Sequence, residues 1–350
     1  MLYQLIRPLL FTLDAEKAHD LSFALLRGVS RSPFAGLTRY PQVDDPVEIM
    51  GIRFPNRVGL AAGLDKNGRY IDALAGFGFG FVEVGTITPV AQPGNPKPRL
   101  FRLPQVDAII NRMGFNNLGV EYLIEQVKER SSRIPLGINI GKNKVTPNDD
   151  AVNDYLICLR AAYRHADYIT INISSPNTPG LRELQFGENL KKLLSELKTE
   201  QGKLHGQYAR YVPLAVKVAP DLTDEEIHEL AETFKTCQMD ALIATNTTNS
   251  RDEVRGLSHA EETGGLSGAP IIDKSNHVLS VFKQALGDEI PIIGVGGINS
   301  AKDAVSKIEA GADLVQIYSG LIYQGPDLVS ASAEAIKQFC RNHQPPANGA

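Results

Sequence analysis

Eight short apolar runs recur along the chain, each followed by polar or glycine-containing residues and then a helical stretch. They are Arg57–Ala62, Phe79–Gly85, Leu136–Ile140, Tyr168–Ile173, Leu214–Val218, Ala241–Ala244, Pro291–Val295 and Leu314–Ile317. Several are almost continuously apolar, the signature of parallel strands covered on both faces. Among the intervening helical stretches are Asp149–Arg164, Asp224–Lys235, His277–Leu286 and Ser300–Ala310. Ser300 is placed to cap the last of these, with Asp303 at the third helical position completing a capping box. The alternation specifies an α/β protein, and eight units predict a closed TIM (β/α)8 barrel rather than an open doubly wound sheet. Long inserts follow the second, fourth and sixth strands, at Thr86–Ser132, Ser174–Tyr211 and Thr245–Asn276. In a barrel such loops gather at the carboxyl end of the strands, where active sites form.

Residues 1–43 do not follow this repeat. Leu2, Leu5, Ile6, Leu9 and Leu10 recur at helical spacing, and Ala15–Leu26 carries a second apolar stripe that Asp14 can cap. The segment holds five basic and three acidic residues, a charge of +2 against −6 for the remainder. Two readings stand at this point: a helical hairpin packed on a larger domain, or an element whose apolar face meets lipid or a lipophilic ligand. Val47–Phe54 predicts a hairpin turning near Met50-Gly51. The chain thus divides into a helical segment at 1–43, a barrel at 44–336 and a tail at 337–350 that is polar from His343 onward.

Bulk properties exclude several functions. With 43% apolar residues a large core is possible, and a net charge of −4 does not suit a nucleic-acid-binding protein. Cys158, Cys237 and Cys340 are scattered, so no zinc or iron–sulfur site is expected, and a reducing cytosolic compartment fits best. No run of about 20 apolar residues is present to cross a bilayer. Asp14, Glu16, His19 and Asp20 interrupt any signal-peptide pattern.

The chemistry-bearing residues cluster at strand ends. Strand seven leads into Gly294-Val295-Gly296-Gly297-Ile298 and strand eight into Ile317-Tyr318-Ser319-Gly320. Glycine turns let backbone N–H groups approach a dianion, and loops seven and eight of a barrel are a frequent phosphate site. Tight turns in a crowded loop are the alternative. Neither a GxxxxGK(S/T) nor a GxGxxG motif occurs. Asn139, Asn172, Lys217 and Asn246 lie in or just beyond four different strands. Buried polar groups are costly without partners, so four converging ones imply a polar, planar ligand. Lys217, inside Ala215-Val216-Lys217-Val218-Ala219, is either paired with a barrel acid or set beside an electron-rich cofactor. Ala61-Ala62-Gly63-Leu64-Asp65-Lys66-Asn67 admits a flat ring and adds a cation. Asn111-Arg112-Met113-Gly114-Phe115-Asn116-Asn117 offers amides, and for Arg112 an equal reading is a structural cation pairing with a loop acid. The loop from Asn172 to Arg182 contains no His, Glu or Lys. A proton abstracted there must go to a hydroxyl, and Ser175 is the candidate, with Thr178 and a water as a route for its own proton.

Together these motifs, with Glu83-Val84-Gly85-Thr86, Asn139-Ile140-Gly141, Asn246-Thr247-Thr248 and Gly264-Gly265-Leu266-Ser267-Gly268, closely resemble class 2 dihydroorotate dehydrogenases. These are the membrane-associated, quinone-linked enzymes of bacteria and mitochondria, and the resemblance spans residues 1–335. It implies FMN contacts at Ala62, Gly63, Lys66, Thr86, Asn139, Asn172, Lys217, Thr245, Ser267, Gly268, Gly296, Gly297, Tyr318 and Ser319. It implies that the pyrimidine is held by Lys66, Asn111, Met113, Gly114, Phe115, Asn172, Asn177, Asn246 and Thr247, with Ser175 as base. Class 1 relatives place cysteine at that position, so Ser175 and the N-terminal extension both favour class 2. The quinone tunnel would be lined from residues 1–30, with His19 and Arg102 near its head group. A monomer on the cytoplasmic face of the bacterial inner membrane is implied likewise. Rival readings are an FMN barrel for another cyclic substrate, a flavin-free phosphate-binding lyase or isomerase, and a non-catalytic membrane-associated binding protein.

Overall fold

The computed structural model describes residues 2–30, 32–178 and 180–343. Pro179 of the Asn172–Arg182 loop and the polar tail from 344 onward lie outside the described residues. Eight parallel strands form a closed barrel: β1 Val58–Leu60, β2 Phe81–Ile87, β3 Leu136–Ile140, β4 Tyr168–Asn172, β5 Leu214–Val218, β6 Ala241–Ala244, β7 Ile292–Val295 and β8 Leu314–Ile317. Each strand pairs with the next, and β8 returns to β1 through Val315 and Val58. Every residue of β2, β3, β4 and β5 is buried, because helices cover the outside and side chains fill the inside. The inside is filled by matching large residues to small ones. A Cβ on Gly59 would lie 2.3 Å from the Phe81 ring, and one on Gly137 would lie 2.3 Å from the Tyr168 ring. Phe81 and Tyr168, with Phe54, Ile243, Ile293 and Leu314, thus make a packed core rather than a pore.

The hairpin forms as expected, pairing Val47–Ile49 with Ile52–Phe54. Met50 and Gly51 both adopt positive φ at its turn, as a type I′ turn requires. Phe54 stacks edge-on against Phe81 at 5.1 Å, so the hairpin closes the amino end of the barrel. The opposite end is roofed by a three-stranded antiparallel sheet of Leu100–Leu103, Ala108–Asn111 and Gly265–Gly268. It joins the inserts after β2 and β6.

Three details differ from the sequence reading. Most of the stretch after β4 is the 22-residue helix Gly187–Tyr208, the ordinary crossover to β5, so the true loop is short. Ser300 does cap its helix, but the Asp303 carboxylate bonds the N–H of Asn299 and the Ser300 hydroxyl, not the Ser300 N–H. A reciprocal capping box occurs instead at Thr223 and Glu226. Finally, the last helix, Asp327–His343, runs past residue 336 into the segment expected to be tail.

The N-terminal segment is two helices, α1 Leu2–Phe11 and α2 Ala15–Ser30. Asp14 Oδ1 accepts the Lys17 N–H at 3.0 Å and caps α2. Few directed contacts dock the pair. Tyr3, Gln4 and Arg7 donate to the carbonyls of Ile322, Gln324 and Tyr323. Glu16 holds Arg99 through two bonds, of 2.7 and 3.1 Å. Leu5, Leu9 and Leu25 remain 79%, 70% and 60% exposed on the outer side of the two helices.

Candidate active site

At the carboxyl end of the barrel one cavity is bounded by β1, β2, β4 to β8 and their loops. Its floor is set by a buried acid. Glu83 on β2 accepts bonds from Asn139 Nδ2, the Tyr168 hydroxyl and Gln316 Nε2, each at 2.8 Å. Asn139 Oδ1 in turn accepts from Thr86 Oγ1 at 2.6 Å and Asn172 Nδ2 at 3.1 Å. Thr86 and Asn172 line the cavity, whereas Asn139 is wholly buried and acts on it through them. Their amide and hydroxyl directions are therefore fixed before any ligand arrives.

Lys217 stands beside Asn172 in the β4–β5 register and is 6% exposed. It has no hydrogen bond or salt bridge among the described residues; Glu83 acts on it only at longer range. Burial pushes its pKa down, partly offset by Glu83. The expected alternative, a direct pair with a barrel acid, is thus not what the fold builds. A buried ammonium facing a cavity without a partner is suited to an electron-rich group placed there.

Lys66 projects from the turn after β1. The Asp65 carboxylate anchors that turn by accepting the Arg69 and Tyr70 N–H groups at 3.0 and 2.7 Å. Lys66 Nζ donates to the Gly63 carbonyl at 2.7 Å, and burial brings its pKa down to about 8.

Gly296 and Gly297 adopt φ of +111° and +86°, which a side chain would resist. A Cβ on Gly297 would come within 2.4 Å of Ile272 Cα, so the turn is pressed onto the start of the helix Ile272–Leu286. Ser267 and Ser319 hydroxyls meet at 2.8 Å on the same wall. Gly268, Thr245, Ala62, Gly63 and Tyr318 complete it.

Ser175 lies over this cavity, 6% exposed, and its Oγ accepts the Asn177 N–H at 3.2 Å. Close by in sequence, the buried Thr178 hydroxyl finds no protein partner among the described residues. The loop is tied down by Arg182, which donates to the carbonyls of Ser174 and Thr247 and pairs with Asp221 at 2.9 Å. Asn246 Nδ2 bonds Ser174 Oγ at 3.0 Å, and Asn177 Nδ2 bonds Asn111 Oδ1 at 3.2 Å. Asn111, Met113, Gly114, Phe115, Asn177, Asn246 and Thr247 all border the cavity, and the buried Thr247 hydroxyl has no partner among the described residues. Arg112 instead pairs with Glu262 at 2.6 Å, the structural alternative that the sequence left open.

A second cavity of about 370 Å³ lies between the N-terminal helices and the barrel, lined mainly by apolar groups such as Ile6, Leu10, Phe23, Leu26 and Ile322. His19 and Arg102 both border it. Arg102 also donates to the carbonyls of Leu10, Phe11 and Leu13, closing the end of α1. Burial, then Lys66, depresses the His19 pKa to about 4. Tyr318 borders both cavities. The sequence points to Glu83 only within the Glu83-Val84-Gly85-Thr86 motif and not to Gln316 at all, although a Gln and a Glu inside apolar strands are the same kind of signal that marks Lys217.

Comparison with known proteins places this architecture. Residues 46–339 match the family model described as dihydroorotate dehydrogenase. A protein of Cellvibrio japonicus named dihydroorotate dehydrogenase (quinone) is 56% identical over 338 residues, covering 97% of this chain and 99% of its own. One of the same name from Acinetobacter baylyi is 58% identical, covering 96% of this chain and 100% of its own. A crystal structure of the DHODH of Eimeria tenella in complex with ferulenol superposes with a TM-score of 0.86 at 38% identity, covering 93% of this chain and 92% of that one.

Proposed function

This chain belongs to the dihydroorotate dehydrogenase family, and from that premise we propose how its two cavities divide one reaction. It oxidises dihydroorotate to orotate in pyrimidine biosynthesis and uses a quinone as electron acceptor. We propose FMN as the resident redox group of the barrel mouth. The unpartnered Lys217 ammonium, facing the same cavity as Ser175, carries that reading. The glycine turn at Gly296-Gly297 suits the phosphate. Thr86, Asn172 and Lys217 would hold the polar edge of a flat ring, and Ala62, Gly63 and Tyr318 border the same cavity. When bound, FMN supplies two-electron acceptor chemistry, which amino-acid side chains lack.

The chain's own residues do the rest. Lys66, positively charged below about pH 8, meets the substrate carboxylate. The amides of Asn111, Asn172, Asn177 and Asn246 and the Thr247 hydroxyl read the pyrimidine edges, with Met113, Gly114 and Phe115 closing over it. Fixing that pose removes much of the entropic barrier. Ser175 Oγ takes the proton from C5. Serine is a weak base, and the Asn177 N–H donating to it favours the form with less positive charge on oxygen. Its own proton leaves by way of Thr178, whose hydroxyl has no partner among the described residues and can relay it through a water to solvent.

The quinone enters, in this proposal, through the apolar cavity under α1 and α2, with His19 and Arg102 near its head group. Tyr318, which borders both cavities, supports the contiguity this requires. We also propose membrane association without a spanning helix: no described helix is long and apolar enough to cross a membrane. We assign attachment to the exposed leucines of α1 and α2, at the cytoplasmic face of the bacterial inner membrane. We propose a functional monomer. The deciding experiment is anaerobic mixing with dihydroorotate. It should bleach a flavin absorbance that added quinone restores. A colourless protein that cannot be reconstituted with FMN would overturn the cofactor assignment.

A further inference from the structure

Behind the Gly296-Gly297 turn lies a lysine that no motif marks. Lys307, in the helix Ala301–Glu309, is wholly buried. Its Nζ has one hydrogen-bond partner among the described residues, the Ser275 hydroxyl. Ser275 Oγ in turn faces two carbonyls with its one proton, that of Gly296 at 2.9 Å and, at the longer distance of 3.1 Å, that of Ile272. An ammonium has three donors, so two are left over. No carboxylate among the described residues stands within salt-bridge distance of it. Asp303 on its own helix and Asp273 on the neighbouring one act only at longer range. Its stem packs against Gly294, where a Cβ would crowd Leu279, Ala312 and the lysine Cδ at 2.9, 3.0 and 3.2 Å.

A buried cation is costly unless an opposite charge balances it. Nothing inside the described chain balances this one closely, yet it is connected by two hydrogen bonds to the turn best suited to an anion. We propose that Lys307 is a positioning residue for the phosphate of the flavin. Through Ser275 it fixes the carbonyl side of Gly296, which leaves the turn's N–H groups directed at the dianion, and it adds positive potential behind them. The inference rests on the FMN reading above. Burial lowers the Lys307 pKa to about 7, so without an anion nearby its charge is only partly kept at neutral pH, and a dianion would restore it.

The test separates phosphate from ring. Flavin-stripped protein is titrated with FMN and with riboflavin, and binding is followed by quenching of flavin fluorescence. Wild type should prefer FMN. Lys307→Met should weaken FMN by about tenfold and leave riboflavin within about twofold. Ser275→Ala keeps the cation but cuts the link, and should lower the FMN-to-riboflavin preference in the same direction, by less. It also carries the test if the lysine variant does not fold. An unchanged preference in wild-type-like folded variants, or an equal loss for both flavins, overturns the role of Lys307 while leaving the cofactor assignment intact. Wild-type protein that binds neither flavin overturns the cofactor assignment itself, and this inference with it.

Discussion

The two cavities share Tyr318 and almost nothing else in their chemistry. The barrel mouth is walled by groups whose directions are already fixed: Glu83 holds Asn139, Asn139 holds Thr86 and Asn172, and Arg182 holds the serine loop. The helical pair is walled by leucine, isoleucine and phenylalanine, docked by few directed bonds. A preorganised polar site discriminates sharply, because a ligand lacking one partner leaves a buried group unpaired. An apolar cleft discriminates by size, and one methylene more or less costs little. The first cavity is thus built to tell closely related polar molecules apart and the second to accept a class of lipophilic ones.

The strongest way to break this comparison is Ser175→Ala. It should slow bleaching of the flavin by dihydroorotate by about 10²–10⁴-fold while quinone-dependent recovery stays unchanged. Anaerobic stopped-flow spectroscopy reads both phases separately. Equal loss in both would mean that the serine loop supports the whole molecule and is not specific to one cavity. Deletion of residues 1–30 is the converse experiment, with a smaller effect. Recovery by quinone should fall by about ten- to a hundredfold, as the apolar contacts of one wall are lost, and bleaching should stay within about twofold. A parallel loss of bleaching would make the helices a structural cover for the barrel instead.

The same contrast explains what could be read from the chain. The barrel strands were legible because two-sided burial writes itself into consecutive residues, as in Leu136–Ile140 and Leu214–Val218, which match to the residue. Helix Gly187–Tyr208 falls inside the stretch read as a long insert, although Leu190, Leu193, Leu194 and Leu197 recur at helical spacing on its buried face. The roof over the mouth was not legible. It pairs Asn111 with Gly265, and nothing local to either segment specifies so distant a partner. Lys307 was hidden for a related reason: on a short amphipathic helix a lysine looks solvent-facing, and only the packing of helix Ile272–Leu286 against it reveals burial. Polar side chains inside barrel strands were the most informative single signal. It was applied to Lys217 and missed at Glu83 and Gln316, which make the floor.

A third prediction sharpens the polar side. Lys66 loses its proton near pH 8 in the free protein, chiefly because burial disfavours its charge. Below that pH it is an ammonium and can pair with the substrate carboxylate; above it, the partner is neutral. kcat/KM for dihydroorotate should therefore fall above pH 8, approaching about tenfold per pH unit. Lys66→Met should lose most of the affinity and, with it, this pH dependence. A profile unchanged in that variant would assign the titration to another group.

The smallest expected effect belongs to His19, and it tests whether the apolar cavity really is indifferent to pH. Two influences push this imidazole toward neutrality, burial first and the Lys66 charge second, and Glu16 opposes them without prevailing. With its pKa near 4, His19 would gain a proton only below the range in which the enzyme is assayed. Its ring nitrogens then act at neutral pH as one donor and one acceptor, never as a cation. His19→Gln preserves a donor and an acceptor, so the KM for a short-chain quinone should shift by only about two- to threefold. The shift should be the same at pH 6 and pH 8. A penalty that grows toward pH 6 would mean that the histidine is charged when it meets the quinone. The cavity would then have to be polar enough to solvate that charge, and the division between a directed mouth and an undirected cleft would fail at its inner end, where Lys66 and His19 sense each other.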